Sequence, residues 1–301
     1  MKKTVLLALL SSIAALGGVK IEEGPHSLSA KLEGKVLWTY HYDPSEGKPY
    51  FHPLSSTDGT QFTDLRPKDH PWHRGLWFSW KLINGVNYWE EVYHTHEPRE
   101  GYTRLLSTTK KITASNDTQI TQSLEYAPGK DAAPVMTELR VIEVSAPDEQ
   151  GVYTIDWSSR FQALEQDVVL DRTPLPGEPE GKAHGGYAGL SVRMNKTVGA
   201  EGTFENRDGL KGMDTRRAAA AWEWFSVADG GTLLFMDHPD NLNFPAKWFV
   251  STKMPYFSPA VIHDGPHTIK AGETLALKYR ILIAPGALSA DAAERFWQDW
   301  K

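Results

Sequence analysis

The stretch Asp69-His70-Pro71-Trp72-His73-Arg74-Gly75-Leu76-Trp77 holds two histidines, an acid, an arginine and two tryptophans. Histidine moves protons near neutral pH, and an adjacent carboxylate can fix its tautomer. The spacing therefore suits a general acid/base, with His73 or His70 transferring the proton and Asp69 orienting the ring. Arg74 could clamp an oxyanion, a carboxylate or vicinal hydroxyls. The plainer alternative is that Asp69 caps a turn and pairs with Arg74 across it. Pro71 and Gly75 suit a turn, because one fixes φ and the other accepts unusual backbone angles. From Leu76 the run Leu-Trp-Phe-Ser-Trp is aromatic and β-favouring. The titratable residues are thus expected on a loop at the lip of a sheet, a common place for binding and catalysis.

Other candidates are spread along the chain. His52 lies in Phe51-His52-Pro53, and His94 and His96 alternate so that a strand would put both on one face. His184 and Tyr187 flank Gly185-Gly186, where backbone can approach a ligand closely. Asp237-His238-Pro239-Asp240-Asn241 repeats the Asp-His-Pro pattern at the end of an apolar run and is expected to form a second lip of the same cleft; the alternative is an ordinary Asx turn. Arg193 and Arg280 interrupt apolar strands and call for an acid or a ligand. Trp77, Trp89 and Trp248 could stack on a sugar ring. A metal held by His52, His70, His73 and Asp237 is a rival reading, although no metal is assigned. No cofactor is expected either: the phosphate loop, the dinucleotide glycine fingerprint, the Gly-x-Ser-x-Gly elbow and the His-Glu-x-x-His motif are all missing.

The elements that must position these residues read as all-β. Short alternating segments separated by turns recur from Val19 onwards, as in Tyr153, Ile155, Trp157, Ser159 and Phe161, or Leu275, Leu277, Tyr279, Ile281 and Ile283. Asn84-Gly85 is a hairpin signal. Asp171 to Gly186 has no periodicity and reads as a long loop. Only Ser289 to Trp300 looks helical, with Ser289 as N-cap and Ala293, Phe296, Trp297 and Trp300 on one stripe. The expectation is a large antiparallel β-sandwich with a short C-terminal helix, as one domain over residues 19–301.

Residues 1–18 combine Met1-Lys2-Lys3 with an apolar Leu/Ala-rich run and read as a signal peptide. The expected location is periplasmic or secreted, with no membrane span after cleavage. The chain contains no cysteine, which excludes disulfides and thiolate chemistry. The net charge of −6 speaks against a nucleic-acid partner.

Phe51-His52-Pro53-Leu54, the stretch from Asp69 to Trp77, Asn84-Gly85 with Trp89, Gly186 to Leu190 with Arg193, Asp237-His238-Pro239 with Asn241, Trp248, and Gly272 through Arg280 together resemble a family labelled "methane oxygenase PmoA"-like. Many members carry His where this chain has Trp72, so a third ligand is lacking there. The label does not describe the chemistry, since the membrane copper enzyme is a multi-helix protein and this chain reads as β. The resemblance implies an exported bacterial protein associated with sugar degradation, with a galactose-mutarotase-like sandwich. The leading expectation is a carbohydrate-active protein that binds a small sugar and acts on a glycoside or keto-sugar by His-based acid/base catalysis. The main rival is a non-catalytic sugar-binding module.

Overall fold

The computed structural model describes residues 18–91 and 101–301. The expected signal peptide, apart from Gly18, and the His94/His96 pair lie outside the described residues.

Two open eight-stranded sheets face each other. The first runs, from edge to edge, through Lys20–Gly24, Ser27–Leu32, Lys35–His41, Tyr50–Leu54, Leu76–Ser79, Gly189–Arg193, Tyr256–Pro259 and Trp248–Ser251. The second runs through Gly202–Asn206, Trp222–Val227, Thr232–Asp237, Thr274–Ala284, Tyr153–Ala163, Met136–Val144, Thr118–Ala127 and Tyr102–Ile112. Neighbouring strands are antiparallel throughout both. The expected antiparallel sandwich is the observed architecture.

Side chains on a strand alternate between faces, and that alternation builds the core. Tyr153, Ile155, Trp157, Ser159 and Phe161 of the second sheet are buried, while Thr154, Asp156, Ser158 and Arg160 reach towards solvent. The apolar ones meet Phe51, Leu76, Phe78 and Phe257 from the first sheet in one continuous core. Phe78 lies 5.1 Å from Phe161, and Phe235 lies 5.8 Å from Phe257, ring centre to ring centre. Tyr153 Oη donates across the gap to Ser55 O at 2.6 Å.

A small third sheet, with Leu82–Ile83 paired to Val86–Asn87, adds the hairpin that Asn84-Gly85 announces. Both turn residues have positive φ, +50° and +78°, as a tight primed turn requires. The C-terminal helix is Ala290–Trp300, and the Ser289 side chain accepts from Ala292 N at 3.2 Å. Its apolar stripe packs on the outer face of the second sheet, against Trp222, Trp224, Leu234 and Met236.

The outer face of the first sheet is equally apolar. Tyr50, Trp77, Phe249 and Tyr256 point away from the sandwich core and form a separate cluster with Trp89 and Ala260. Their chain neighbours Phe51, Leu76, Val250 and Phe257 point into the core. Sheet residues on this outer face are covered by loops rather than by a helix, and that is where the site forms.

Candidate functional site

The floor of the site follows from strand parity. In Gly189–Arg193, Leu190 and Val192 enter the core, so Ser191 and Arg193 face outward. The Ser191 hydroxyl lies 2.7 Å from Tyr256 Oη, which fixes that ring on the outer face. Trp77 is fully buried beside it, with ring centres 6.1 Å apart.

The loop bearing the first candidates folds onto this floor through consecutive turns. His70 N donates to Pro67 O at 2.9 Å and His73 N to His70 O at 3.0 Å. Gly75 leaves the turn with φ +73°, and a Cβ there would sit 2.2 Å from Phe51 O. Glycine is needed on both counts. The loop's histidines are thereby stacked: His70 and His73 lie 4.7 Å apart, and His73 lies 5.0 Å from Trp77 and 5.6 Å from Tyr256.

A cleft of about 160 Å³ opens above them, lined by His70, Trp72, His73, Trp89, Tyr187 and Phe249, with Glu90, His184, Met254 and Tyr256 completing the wall. Trp89, Tyr187 and Phe249 make a continuous aromatic side, with centroid spacings of 4.8 Å and 5.3 Å. The cleft is small, apolar-walled and punctuated by a few polar groups, as small-molecule sites are.

The electrostatics separate the two histidines. His70 is partly exposed, and its Nδ1 lies 2.9 Å from Asp69 Oδ2. Asp69 also receives Arg193 Nη2 at 3.2 Å and 3.3 Å on its two oxygens. Burial works against ionisation of Asp69, but the His70 hydrogen bond and the Arg193 charge hold its pKa down to about 2. An ionised Asp69 fixes the His70 tautomer with the proton on Nδ1, leaving Nε2 as the basic nitrogen. His73 is 2% exposed. Burial first, then the charges of His70, Arg193 and Lys48, push its pKa down to about 2, with only Asp69 opposing. His73 is therefore a neutral imidazole at physiological pH, a hydrogen-bonding group and a poor base. Burial thus sets His73 apart from His70, the other histidine read from the sequence as a proton carrier.

Arg193 brings further polarity: it is 5% exposed, yet its Nε and Nη1 are buried without a partner. His73 Nδ1 and Trp72 Nε1 are unpartnered too. Unpaired buried donors are costly unless something completes them.

Several expected residues are elsewhere. Arg74 does not reach the cleft: it is 2% exposed, donates from Nη1 to Lys48 O at 3.0 Å and lies over the Tyr50 ring. It belongs to a buried charge cluster with Lys48 and Glu91, where burial raises the Glu91 pKa against the pull of Lys48 and Arg74. His52 bonds Thr63 through Nδ1 at 3.1 Å and borders a separate hollow with Asp64 and Asn195. Trp248 points into the main core, and its Nε1 donates to Ala220 O. Its neighbour Phe249, one residue along the strand and so on the opposite face, takes the place in the cleft that was expected of Trp248.

The Asp237 turn belongs to the other sheet. Asp237 Oδ1 accepts from Asn241 Nδ2 at 2.7 Å, Oδ2 accepts from Ala246 N at 2.9 Å, and its carbonyl accepts from Trp297 Nε1 at 3.0 Å. Asn241 also ties down Lys278, and His238 meets Trp300 edge-on. This is a helix-docking corner, and none of Asp237, His238 and Asn241 lines the cleft. Burial pushes the Asp237 pKa up to about 7. The structure thus does not gather His52, His70, His73 and Asp237 into one ligand set, and among the described residues no group of three or more metal-ligating side chains is assembled. Arg280, the other arginine in an apolar strand, forms a bidentate pair with Asp156 at 2.6 Å.

Residues 27–298 match the Family of unknown function (DUF6807), and the chain belongs to that family. The methane-oxygenase label has no counterpart in this match. No curated protein matches the sequence. Among solved structures the chain is similar to the alpha-galactosidase from Lactobacillus brevis, at 7% identity and a TM-score of 0.39, over 89% of this chain and 40% of that one. The chain therefore spans about two fifths of that galactosidase. Among the described residues no helix is long and apolar enough to cross a membrane.

Proposed function

We propose that the cleft binds a small sugar and that Asp69 and His70 move a proton on it, most simply at the carbon beside the carbonyl of a keto-sugar. The observation that carries the reading is the Asp69–His70 contact at the mouth of an aromatic-walled cleft. His70 Nε2 takes the proton while Asp69 stabilises the imidazolium that forms. The neutral His73 can donate a hydrogen bond to the oxygen on which charge develops, as a neutral imidazole with a lowered pKa can do elsewhere. Arg193, behind the lining, holds Asp69 ionised. Trp72, Trp89 and Tyr187 offer faces on which the apolar side of a sugar ring can lie.

Hydrolysis by paired carboxylates finds less support. Glu90 is the one carboxylate among the lining residues named above, and Lys81 binds both its oxygens, at 2.6 Å and 2.5 Å. The reading extends to location: the Lys-Lys start and the following apolar run support export to the periplasm or beyond.

A panel of glycosides and keto-glycosides tests the function. Turnover is expected on keto-sugars, and His70→Ala should reduce it by ~10²-fold or more at an unchanged melting temperature. Binding of panel members without turnover of any would favour the sugar-binding module.

A further inference from the structure

Beside the cleft, packed against its lining residue Phe249 and against the residue before His184, lies positive charge that the mechanism above does not use. Arg216 Nη2 and Arg217 Nη2 both donate to Ala183 O, at 2.8 Å and 3.2 Å. Ala183 precedes His184, which lines the cleft. Arg216 Cζ lies 4.5 Å over the ring of Phe249, another lining residue. Tyr256 and Phe249 run ring to ring from His73 to Arg216, which places Arg216 two rings away from the His70–His73 side of the cleft.

Neither arginine has a carboxylate partner among the described residues, although ion pairs are frequent elsewhere in the molecule. The Nε of each is buried with no hydrogen-bond partner among the described residues. Burial and the neighbouring Arg217 charge both lower the Arg216 pKa, the sign of cations crowded without an anion. Three acids on adjoining segments are committed elsewhere, Asp264 to Lys247 and His263, Glu178 to Arg172, and Glu90 to Lys81; Asp214 and Glu180, also on adjoining segments, form no ion pair with either arginine. The loop that carries Ala183 is held tightly in place. A Cβ on Gly185 would meet Pro174 O at 2.0 Å, and one on Gly186, whose φ is +99°, would meet the His263 ring at 2.7 Å. The two forks are thus positioned by a fixed carbonyl, with donors left over. Planar guanidinium groups match carboxylate and similar oxyanions in both shape and charge.

We infer that the cleft takes an acidic sugar, whose oxyanion is held by Arg216 and Arg217 while its ring lies over the aromatic wall. This rests on the sugar-binding reading and narrows it to a substrate class.

Calorimetric titration tests it with matched pairs: D-glucuronate against D-glucose, D-galacturonate against D-galactose, and D-glucose 6-sulfate as the sulfate arm. Wild-type protein is compared with an Arg216→Gln/Arg217→Gln variant whose melting temperature confirms folding. Glutamine removes the charge and keeps a hydrogen-bonding amide on a shorter side chain. The acidic member of a pair is expected to bind ~10-fold or more tightly than its neutral counterpart. The variant should bring that ratio close to one. Preference for uronates or for the sulfate identifies the anion. Equal binding of acidic and neutral sugars by the wild type, or a preference that survives the double substitution, overturns this inference and leaves the sugar reading standing. Failure of both acidic and neutral sugars to bind the wild type removes both.

Discussion

Asp69 Oδ2 lies 2.9 Å from His70 Nδ1, and in the proposed function this contact pairs an orienter with a base on adjacent residues of one turn. If the carboxylate sets the tautomer, Asp69→Asn should leave His70 in place but no longer hold the proton on Nδ1. Turnover should fall by ~10²-fold or more, and stability should fall with it, since the buried Arg193 loses its anionic partner. Kinetics and a melting curve on that single variant check both halves.

His73 should register in stability rather than as a titrating catalyst. Its folded pKa of about 2 lies below the ordinary 6.5, so the unfolded chain binds a proton that the folded chain refuses. Stability must therefore fall as pH drops from 6.5 towards 2. His73→Phe keeps a ring against Trp77 and Tyr256 but cannot titrate. At pH 4 its advantage over wild type, relative to the difference at pH 8, should be roughly 3 kcal/mol. Urea unfolding at both pH values measures it, and parallel pH profiles for the two proteins would refute the assignment.

How much of this was legible in the sequence depends on parity and burial. The alternation of Tyr153 to Phe161 and of Leu275 to Ile283 was readable because one face of each strand is wet. Trp248–Ser251 and Leu76–Ser79 are covered on both faces, so nothing in the order of residues says which aromatic enters the sandwich core. Hence Trp248 was expected at the site and Phe249 was not, although a period of two places them on opposite sides. The two Asp-His-Pro turns look alike as text, but one leads into a strand of the first sheet and the other leaves a strand of the second, and only the pairing tells them apart. Arg216 and Arg217 gave no signal, because their role depends on Ala183, a residue distant in sequence. The depressed pKa of His73 likewise comes first from burial and then from the neighbouring charges, Arg193 and Lys48 among them, all brought in by the fold.

Glu223 should weigh on stability at high pH. It is fully buried, with Oε1 accepting from Thr215 Oγ1 at 2.8 Å and Oε2 unpartnered. Burial raises its pKa to about 8 from 4.5, against the Thr215 hydrogen bond. The folded state thus binds the proton more tightly, and stability is lost as pH rises between those values. Glu223→Gln should be more stable than wild type at pH 9 by roughly 5 kcal/mol, with the gap closing below pH 4.5. Thermal melts across that range check it.

Trp297 should be the anchor of the C-terminal helix. It is buried against the outer face of the second sheet and donates from Nε1 to Asp237 O. Trp297→Ala should cost about 3–5 kcal/mol through the cavity and the lost hydrogen bond. Denaturant unfolding would show it as a lowered midpoint, and a change under about 1 kcal/mol would mean that the helix is only loosely docked.

The central claim is that His70 moves a proton on a bound keto-sugar. Solvent exchange tests it most directly: the purified protein is incubated in D₂O with a keto-glycoside, and deuterium at the carbon beside the carbonyl is followed by NMR. Wild-type protein should incorporate deuterium well above the uncatalysed rate, and His70→Ala should lose ~10²-fold or more of that rate while still folding. Exchange that proceeds equally in His70→Ala, or a wild type that binds the sugar and exchanges nothing, would contradict the account.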